Sequence, residues 1–110
     1  MIEISSDVIR GYNDTMILRI LMDAPSYGYE ISKKIRQITD GKYIIKETTL
    51  YSAFNRMEKN AYVVSYVVNP TEGGSTKRRT YYQITDLGRE FYKNKCEEWK
   101  LTKDVVDRFV

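Results

Sequence analysis

The sequence predicts an α+β fold that is mostly helical: three helices, then a β-hairpin, then one long last helix. Three observations support this order. Apolar residues recur at helical spacing up to residue 59, a β-branched and aromatic run follows at 62–68, and helical spacing returns after residue 85. With 110 residues, of which 42% are hydrophobic and 30% charged, the chain has the size of one domain and is too apolar for a disordered segment.

The first two helices are indicated by apolar residues at three- and four-residue spacing on either side of Pro25. Those of the first helix are Val8, Ile9, Tyr12, Met16, Ile17, Ile20 and Leu21. Ser26 is the expected N-cap of the second helix, which Gly41 should end. The apolar positions of the second helix are Tyr27, Ile31, Ile35 and Ile38.

A third helix is predicted from about Thr48 to Asn60, with Leu50, Phe54 and Met57 as its core stripe. Its polar side chains should face outward. They are Thr49, Ser52, Asn55, Arg56 and Lys59.

Strands are predicted at 62–68 and 80–84, because both runs are rich in β-branched and aromatic residues and too short for a good helix. The connecting segment 69–76 contains Gly73 and Gly74 and should form a long hairpin loop. Thr85 and Asp86 then cap a last helix that runs toward Val110, about 39 Å long if unbroken.

Several classes of function are excluded by composition. The chain has no His, and its single Cys96 permits neither an internal disulfide nor a multi-cysteine zinc site. It carries no phosphate-binding glycine motif. We therefore expect no enzyme, no catalytic residues, no metal and no cofactor. An acidic N-terminus and the lack of an apolar run of about 20 residues argue against a signal peptide or membrane span, which predicts a cytoplasmic protein.

The net charge of +3 lies entirely in the middle of the chain. Residues 1–41 hold 5 basic and 6 acidic residues, residues 42–84 hold 7 and 3, and residues 85–110 hold 6 and 6. Surplus positive charge on one segment is typical of proteins that bind a polyanion.

Three helices followed by a hairpin with a basic tip form the order of a winged helix-turn-helix, whose third helix enters the DNA major groove. We therefore divide the chain into a winged-helix DNA-binding domain at 1–84 and a C-terminal dimerisation helix at 85–110, which together form a single structural unit.

The chain also resembles the PadR-like transcriptional regulators across most of residues 10–92. Three groups of residues, in the same order and spacing, account for the resemblance. They are Ala24-Pro25-Ser26-Tyr27-Gly28-Tyr29-Glu30; Thr49-Leu50-Tyr51 with Arg56-Met57-Glu58; and Gly73-Gly74 with Arg78, Tyr81-Tyr82 and Ile84-Thr85-Asp86-Leu87-Gly88-Arg89. The short C-terminus is similar to the compact branch that includes multidrug-sensing repressors.

Eight residues are candidates for DNA contact. Thr49, Ser52, Asn55 and Arg56 suit base edges or phosphates, since Asn pairs with adenine and Arg with guanine; a plain solvated helix face is the alternative. The resemblance implies that the hydroxyl of Tyr51 touches the DNA backbone, and core packing is its alternative. The remaining candidates, for phosphate or the minor groove, are Lys77, Arg78 and Arg79, which otherwise form only a solvated turn.

The last helix carries two apolar stripes, and a lone helix buries only one of them. The first comprises Leu87, Phe91, Val105 and Phe109. The second comprises Tyr92, Cys96, Trp99, Val106 and Val110, and we assign it to the interface of a two-fold homodimer. The resemblance implies the same dimer.

The resemblance also places a Trp of this helix at the dimer centre, where it stacks on flat aromatic ligands; Trp99 fits that role, or that of a plain interface anchor. The effector pocket would comprise Val8, Tyr12, Thr15, Cys96 and Trp99. Lys103 stands where the multidrug binder has an acid. Cys96 is either a small apolar filler or a redox sensor.

Together these features predict a homodimeric repressor that binds double-stranded DNA at a pseudo-palindromic operator. A planar hydrophobic small molecule would release it. The alternative is a winged-helix module that docks a protein without specific DNA binding.

Overall fold

The computed structural model describes residues 2–70 and 77–110, and its order of elements confirms the predicted mostly helical α+β fold with a hairpin wing. The helices of these ranges are α1 (Ser6–Ile9), α2 (Asn13–Asp23), α3 (Gly28–Ile38), α4 (Glu47–Lys59) and α5 (Asp86–Asp107). The strands are β1 (Ser26–Tyr27), β2 (Val63–Val68) and β3 (Arg79–Ile84). The predicted loop glycines, Gly73 and Gly74, lie outside the described residues.

The three strands form one antiparallel sheet in the order β1-β3-β2. The predicted hairpin is confirmed, with Val63 opposite Ile84 and Val68 opposite Arg79. The first strand was not predicted, and the assignment of Ser26 as a helix N-cap is wrong. Ser26 is buried in β1 opposite Tyr82, and its hydroxyl donates a 2.5 Å hydrogen bond to the carboxylate of Glu30.

The first predicted helix is interrupted. It divides into the short α1, a 3₁₀ turn at Arg10–Tyr12 and then α2. Gly11 lies at the centre of that turn, and a glycine weakens a helix by about 1 kcal/mol relative to alanine. The apolar spacing continues through the turn, which is why the sequence reads as one helix.

The core lies between α2, α3, α4 and the inner face of the sheet. The predicted stripe of α4 is confirmed, because Leu50, Phe54 and Met57 are all buried. Phe54 stacks on Tyr82 of β3 with ring centroids 3.9 Å apart, which joins the helix to the sheet. The prediction for Ile38 is wrong: it lies at the end of α3 beyond the reach of the core and is 71% exposed.

The last helix begins as predicted, and its two halves differ in how much the domain covers them. The Thr85 side chain caps it by accepting a 3.0 Å hydrogen bond from the Gly88 amide, and the helix ends at Asp107, before Val110. Near its start Phe91 stacks on Tyr62, with centroids 4.1 Å apart, and Tyr92 also packs on the core. Residues of both stripes therefore contact their own domain in the first half, while the half from Trp99 onward projects largely uncovered.

Among residues 2–70 and 77–110, every helix is too short or too polar to span a lipid bilayer.

Candidate nucleic-acid interface

One row of side chains on α4 points directly away from the core. At 100° per residue, the side opposite the buried stripe is occupied by the exposed residues Thr48, Ser52, Asn55 and Lys59. We call these four residues the outer ridge. Ser52 and Asn55 were candidates from the sequence; Thr48 was taken only as the helix start, although its spacing from Ser52 would have identified it.

Two other candidates flank this ridge. Thr49 is half-buried. Tyr51 lies across the first residue of α3, where a Cβ on Gly28 would come within 2.7 Å of the Tyr51 hydroxyl oxygen. Its ring also meets Phe54 edge-on at 5.5 Å, yet 44% of Tyr51 is exposed. Tyr51 therefore packs on the domain and keeps its polar end at the surface.

A groove runs between α3 and the start of α4. It consists of two depressions, of about 230 and 70 Å³, that share Tyr29 and Ser32. The larger depression reaches Tyr51, and the smaller one is flanked by Lys33 and Arg36. The lining thus combines hydroxyl groups and two cations with the carboxylate of Glu47 and apolar side chains such as Ile44.

The two basic side chains at this groove, Lys33 and Arg36, have no ion-pair partner among the described residues. Within the described residues, six exposed basic side chains on or beside α3, α4 and β3 have no ion-pair partner. They are Lys33, Arg36, Lys42, Lys46, Lys59 and Arg78. On α5, Lys95, Lys100 and Lys103 each pair with a carboxylate three or four positions away, whereas Arg89 and Lys93 have no ion-pair partner among the described residues. Of the unpaired cations, Lys33 and Arg36 line the groove and Lys59 belongs to the outer ridge.

Arg56 is oriented differently from its predicted outward position. Its guanidinium binds the carboxylate of Asp14 on α2 through Nε and Nη2, and 51% of its side chain remains exposed. Asp14 lies 42 positions away and was not predicted from the sequence.

The basic residues of the wing have different surroundings. Lys77 and Arg78 are exposed just before β3. Arg79 belongs to β3 and is half-buried, with its guanidinium carbon 4.3 Å above the ring of Tyr27. Such cation–π contacts contribute about 0.5–2 kcal/mol, so Arg79 is held against the sheet.

The candidate effector residues lie where α5 crosses the 3₁₀ turn. Tyr12 meets Trp99 edge-on, with ring centroids 5.1 Å apart. Thr15 and Cys96 are half-buried, and Val8 is exposed. A hydrogen bond to Cys96, and then burial, raise the pKa of the Tyr92 hydroxyl above its ordinary value. The structure thus brings Tyr12 and Trp99 together and leaves Val8 at the periphery.

A second buried contact lies close by, at the start of α2. The hydroxyl of Tyr43, which precedes α4, donates a 2.6 Å hydrogen bond to the buried Asn13. Burial raises the pKa of Tyr43, and this hydrogen bond opposes the shift. No cluster of three or more potential metal ligands occurs in the part of the chain that the structure describes.

The family model and the solved structures that match this chain indicate the same family. The model of the transcriptional regulator PadR-like family matches residues 17–94. The structure of a transcriptional regulator from Clostridium thermocellum is 62% identical, covers 96% of this chain and 99% of its own, and superposes with a TM-score of 0.88. A PadR family transcription regulator from Clostridium difficile is 38% identical over 89% of this chain and 97% of its own, with a TM-score of 0.76. An uncharacterised protein from Lysinibacillus sphaericus is 39% identical and aligns with 97% of this chain and 95% of its own length.

Proposed function

Because the chain belongs to the PadR-like family of transcriptional regulators, we propose that it is a homodimeric cytoplasmic repressor that reads operator DNA with α4 and holds the DNA backbone with α3 and the wing. The observation that carries this proposal is the coincidence of the polar outer ridge of α4 with the unpaired cations around it.

The outer ridge has the side chains that base reading requires. An α-helix fits the major groove, where Asn55 can donate to and accept from adenine and Ser52 can bond to several bases. Lys59, at the end of the helix, suits phosphate or guanine. We therefore assign base contacts first to Asn55 and Ser52.

Backbone contacts are assigned to the groove between α3 and α4 and to the wing. In helix-turn-helix proteins the helix before the recognition helix crosses the DNA backbone. Here that helix presents Lys33 and Arg36, with Tyr51 at the other end of the groove. Lys77 and Arg78 would reach phosphate or the minor groove from the wing. Arg79 holds the strand that presents them.

A homodimer is proposed because the second half of α5 leaves its apolar side chains uncovered. Val106 is 50% exposed and Val110 94% exposed. Packing this half against a second copy would bury them in a two-fold interface. Two recognition helices related in this way require a pseudo-palindromic operator with half-sites about one DNA turn apart.

A planar hydrophobic effector would release the repressor from its operator. Such release is supported by the Tyr12–Trp99 contact, which joins α5 to the turn before α2. A ligand that inserts beside Trp99 and favours one arrangement of α5 would change the spacing of the two recognition helices.

The test is fluorescence anisotropy with a duplex selected by this protein from a randomised library and with a scrambled copy of that duplex. We expect Asn55→Ala to relax discrimination at one base position, with a cost of about 1–3 kcal/mol for the selected duplex. Lys33→Ala should weaken binding to both duplexes about equally. It should also reduce the slope of log affinity against log salt by about 0.9.

Lys100→Ala is the matched control, because it removes the same charge from a lysine that is paired with Glu97 on α5. It should change neither affinity nor slope. An equal loss with Lys100→Ala would mean that only net charge matters. Absence of any DNA binding at low salt would contradict the proposal and favour a protein-docking module instead.

A further inference from the structure

One ion pair stands apart from the others. Arg56, in the last turn of α4, donates to Asp14, in the first turn of α2, with Nε 3.3 Å from one carboxylate oxygen and Nη2 bound to the other. All other ion pairs among the described residues join side chains three or four positions apart. This pair alone among them connects two different elements, so it fixes an arrangement of the tertiary structure.

The two partners differ in exposure. The Asp14 side chain is 16% exposed and that of Arg56 is 51% exposed. A guanidinium carries five N–H groups, and the pair uses one on Nε and one on Nη2. The remaining three, on Nη1 and Nη2, include the two at the end edge that can donate in parallel to guanine or to phosphate. Asp14 therefore orients Arg56 and leaves its recognition edge free.

The backbone that carries Asp14 is held by its neighbours in the chain. The two residues before Asp14 contact other elements, since Tyr12 packs on Trp99 and Asn13 accepts the hydrogen bond from Tyr43. The first turn of α2 is thereby fixed against α5 and against the segment before α4. A fixed carboxylate limits the rotamers of Arg56, which reduces the entropy lost when the arginine binds.

We propose that Asp14 is a positioning residue for DNA recognition: it binds one edge of the Arg56 guanidinium, leaves the end edge available to a base, and thereby sharpens base discrimination. The inference rests on the proposed function and adds a residue that touches no DNA. Arg56 then has two separable effects on binding. Its positive charge attracts any DNA, whereas its fixed orientation strengthens binding only to a matching base.

The experiment compares the full-length wild-type chain with Asp14→Asn on the selected and scrambled duplexes. The amide keeps the size of the carboxylate but removes its charge. We expect the ratio of the two affinities to fall about tenfold, the size of one good base contact, while affinity for the scrambled duplex and the salt slope stay unchanged. Asp23→Asn is the matched control, since it breaks an exposed Asp–Arg pair, with Arg19, on the same helix. It should leave the ratio unchanged.

A second variant covers the case in which Asp14→Asn fails to fold. Arg56→Lys keeps the positive charge but loses the planar fork, so it should also lower the affinity ratio and retain the salt slope. Where both variants fold, the double variant should lose no more discrimination than either single one, because both remove the same contact.

Three results would overturn the inference. Wild-type discrimination in the folded variants, with only a lower melting temperature, would make the pair purely structural. Tighter binding of Asp14→Asn to both duplexes would mean that Asp14 withholds Arg56 from DNA. If the wild-type chain itself selected no sequence, the proposed function would fail first, and the wild-type measurement alone would reveal it.

Discussion

Gly88 shows how a single missing side chain fixes the position of α5. A Cβ at Gly88 would lie 2.1 Å from the carbonyl oxygen of Tyr62 and 2.9 Å from the side chain of Ile84. The same carbonyl accepts a 3.0 Å hydrogen bond from the amide of Thr85. The start of α5 therefore sits directly on the turn before β2, at a distance that only glycine permits.

We predict that Gly88→Ala lowers the free energy of unfolding by about 3 kcal/mol, because overpacking against backbone forces a shift of the helix. Urea denaturation at one fixed protein concentration measures this. Gly11→Ala is the control. Nothing lies within 4 Å of the added methyl there, so stability should stay the same or rise by about 0.5 kcal/mol. Equal effects of Gly88→Ala and Gly11→Ala would show that the close contact with Tyr62 is not the reason for a glycine at position 88.

Residues that act locally were the ones that could be predicted from sequence. Thr85 was correctly predicted to begin α5 because a cap bonds within its own first turn. Asp14 was not identified, since its partner is 42 positions away and nothing near it marks a carboxylate that pairs across elements. Arg56 could be placed on α4, but its orientation depends on that distant partner.

Helices and strands, like single residues, could be predicted where their pattern is local and could not where they depend on distant residues. The core stripe of α4 and the β2–β3 hairpin follow from their own periodicity. The strand β1 is only two residues long, and its conformation comes from pairing with Tyr81 and Tyr82, far along the chain. A local pattern therefore cannot distinguish it from the first turn of α3. Helical spacing counted from the buried stripe of α4 would also have placed Thr48 on the outer ridge.

The second half of α5 is the element most in need of a partner. Val105 and Val106 are adjacent and about equally exposed, at 47% and 50%, but they belong to different stripes. We predict that Val106→Glu converts the dimer to monomers, because it buries an unpaired charge in the interface. Val105→Glu, the matched control, should weaken it less.

Sedimentation equilibrium of the two variants distinguishes the stripes. Dissociation by Val105→Glu alone would move the interface to the stripe with Leu87 and Phe109. If wild-type protein already sedimented as a monomer, the dimer and the palindromic operator would both be wrong. Because both valines are exposed, we expect neither glutamate to unfold the chain. Circular dichroism, which measures helix content, checks that each substitution acts on association alone.

Over the whole molecule, the 3₁₀ turn and the start of α2 connect α5 to α4. Tyr12 contacts Trp99 on α5, and two residues later Asp14 contacts Arg56 on α4. A displacement of α5 at Trp99 can therefore reach α4, the proposed recognition helix, through a short series of contacting residues. Coupling of this kind is a free energy shared by two ligands, so each must weaken the other by the same factor.

We predict that anilinonaphthalene sulfonate, an anionic aromatic dye that DNA does not attract, quenches the fluorescence of Trp99 and weakens binding to the selected duplex. Trp99 is the chain's only tryptophan, so the quenched emission is that of this residue alone. Saturating duplex should weaken dye binding by the same factor, typically about 5–150-fold for coupled sites. Leu101→Ala, an exposed residue of the same helix, should leave both effects intact, whereas Trp99→Ala should abolish the dye's effect on DNA binding. Quenching without any loss of DNA affinity would separate the pocket from regulation, because a ligand with equal affinity for both arrangements shifts neither.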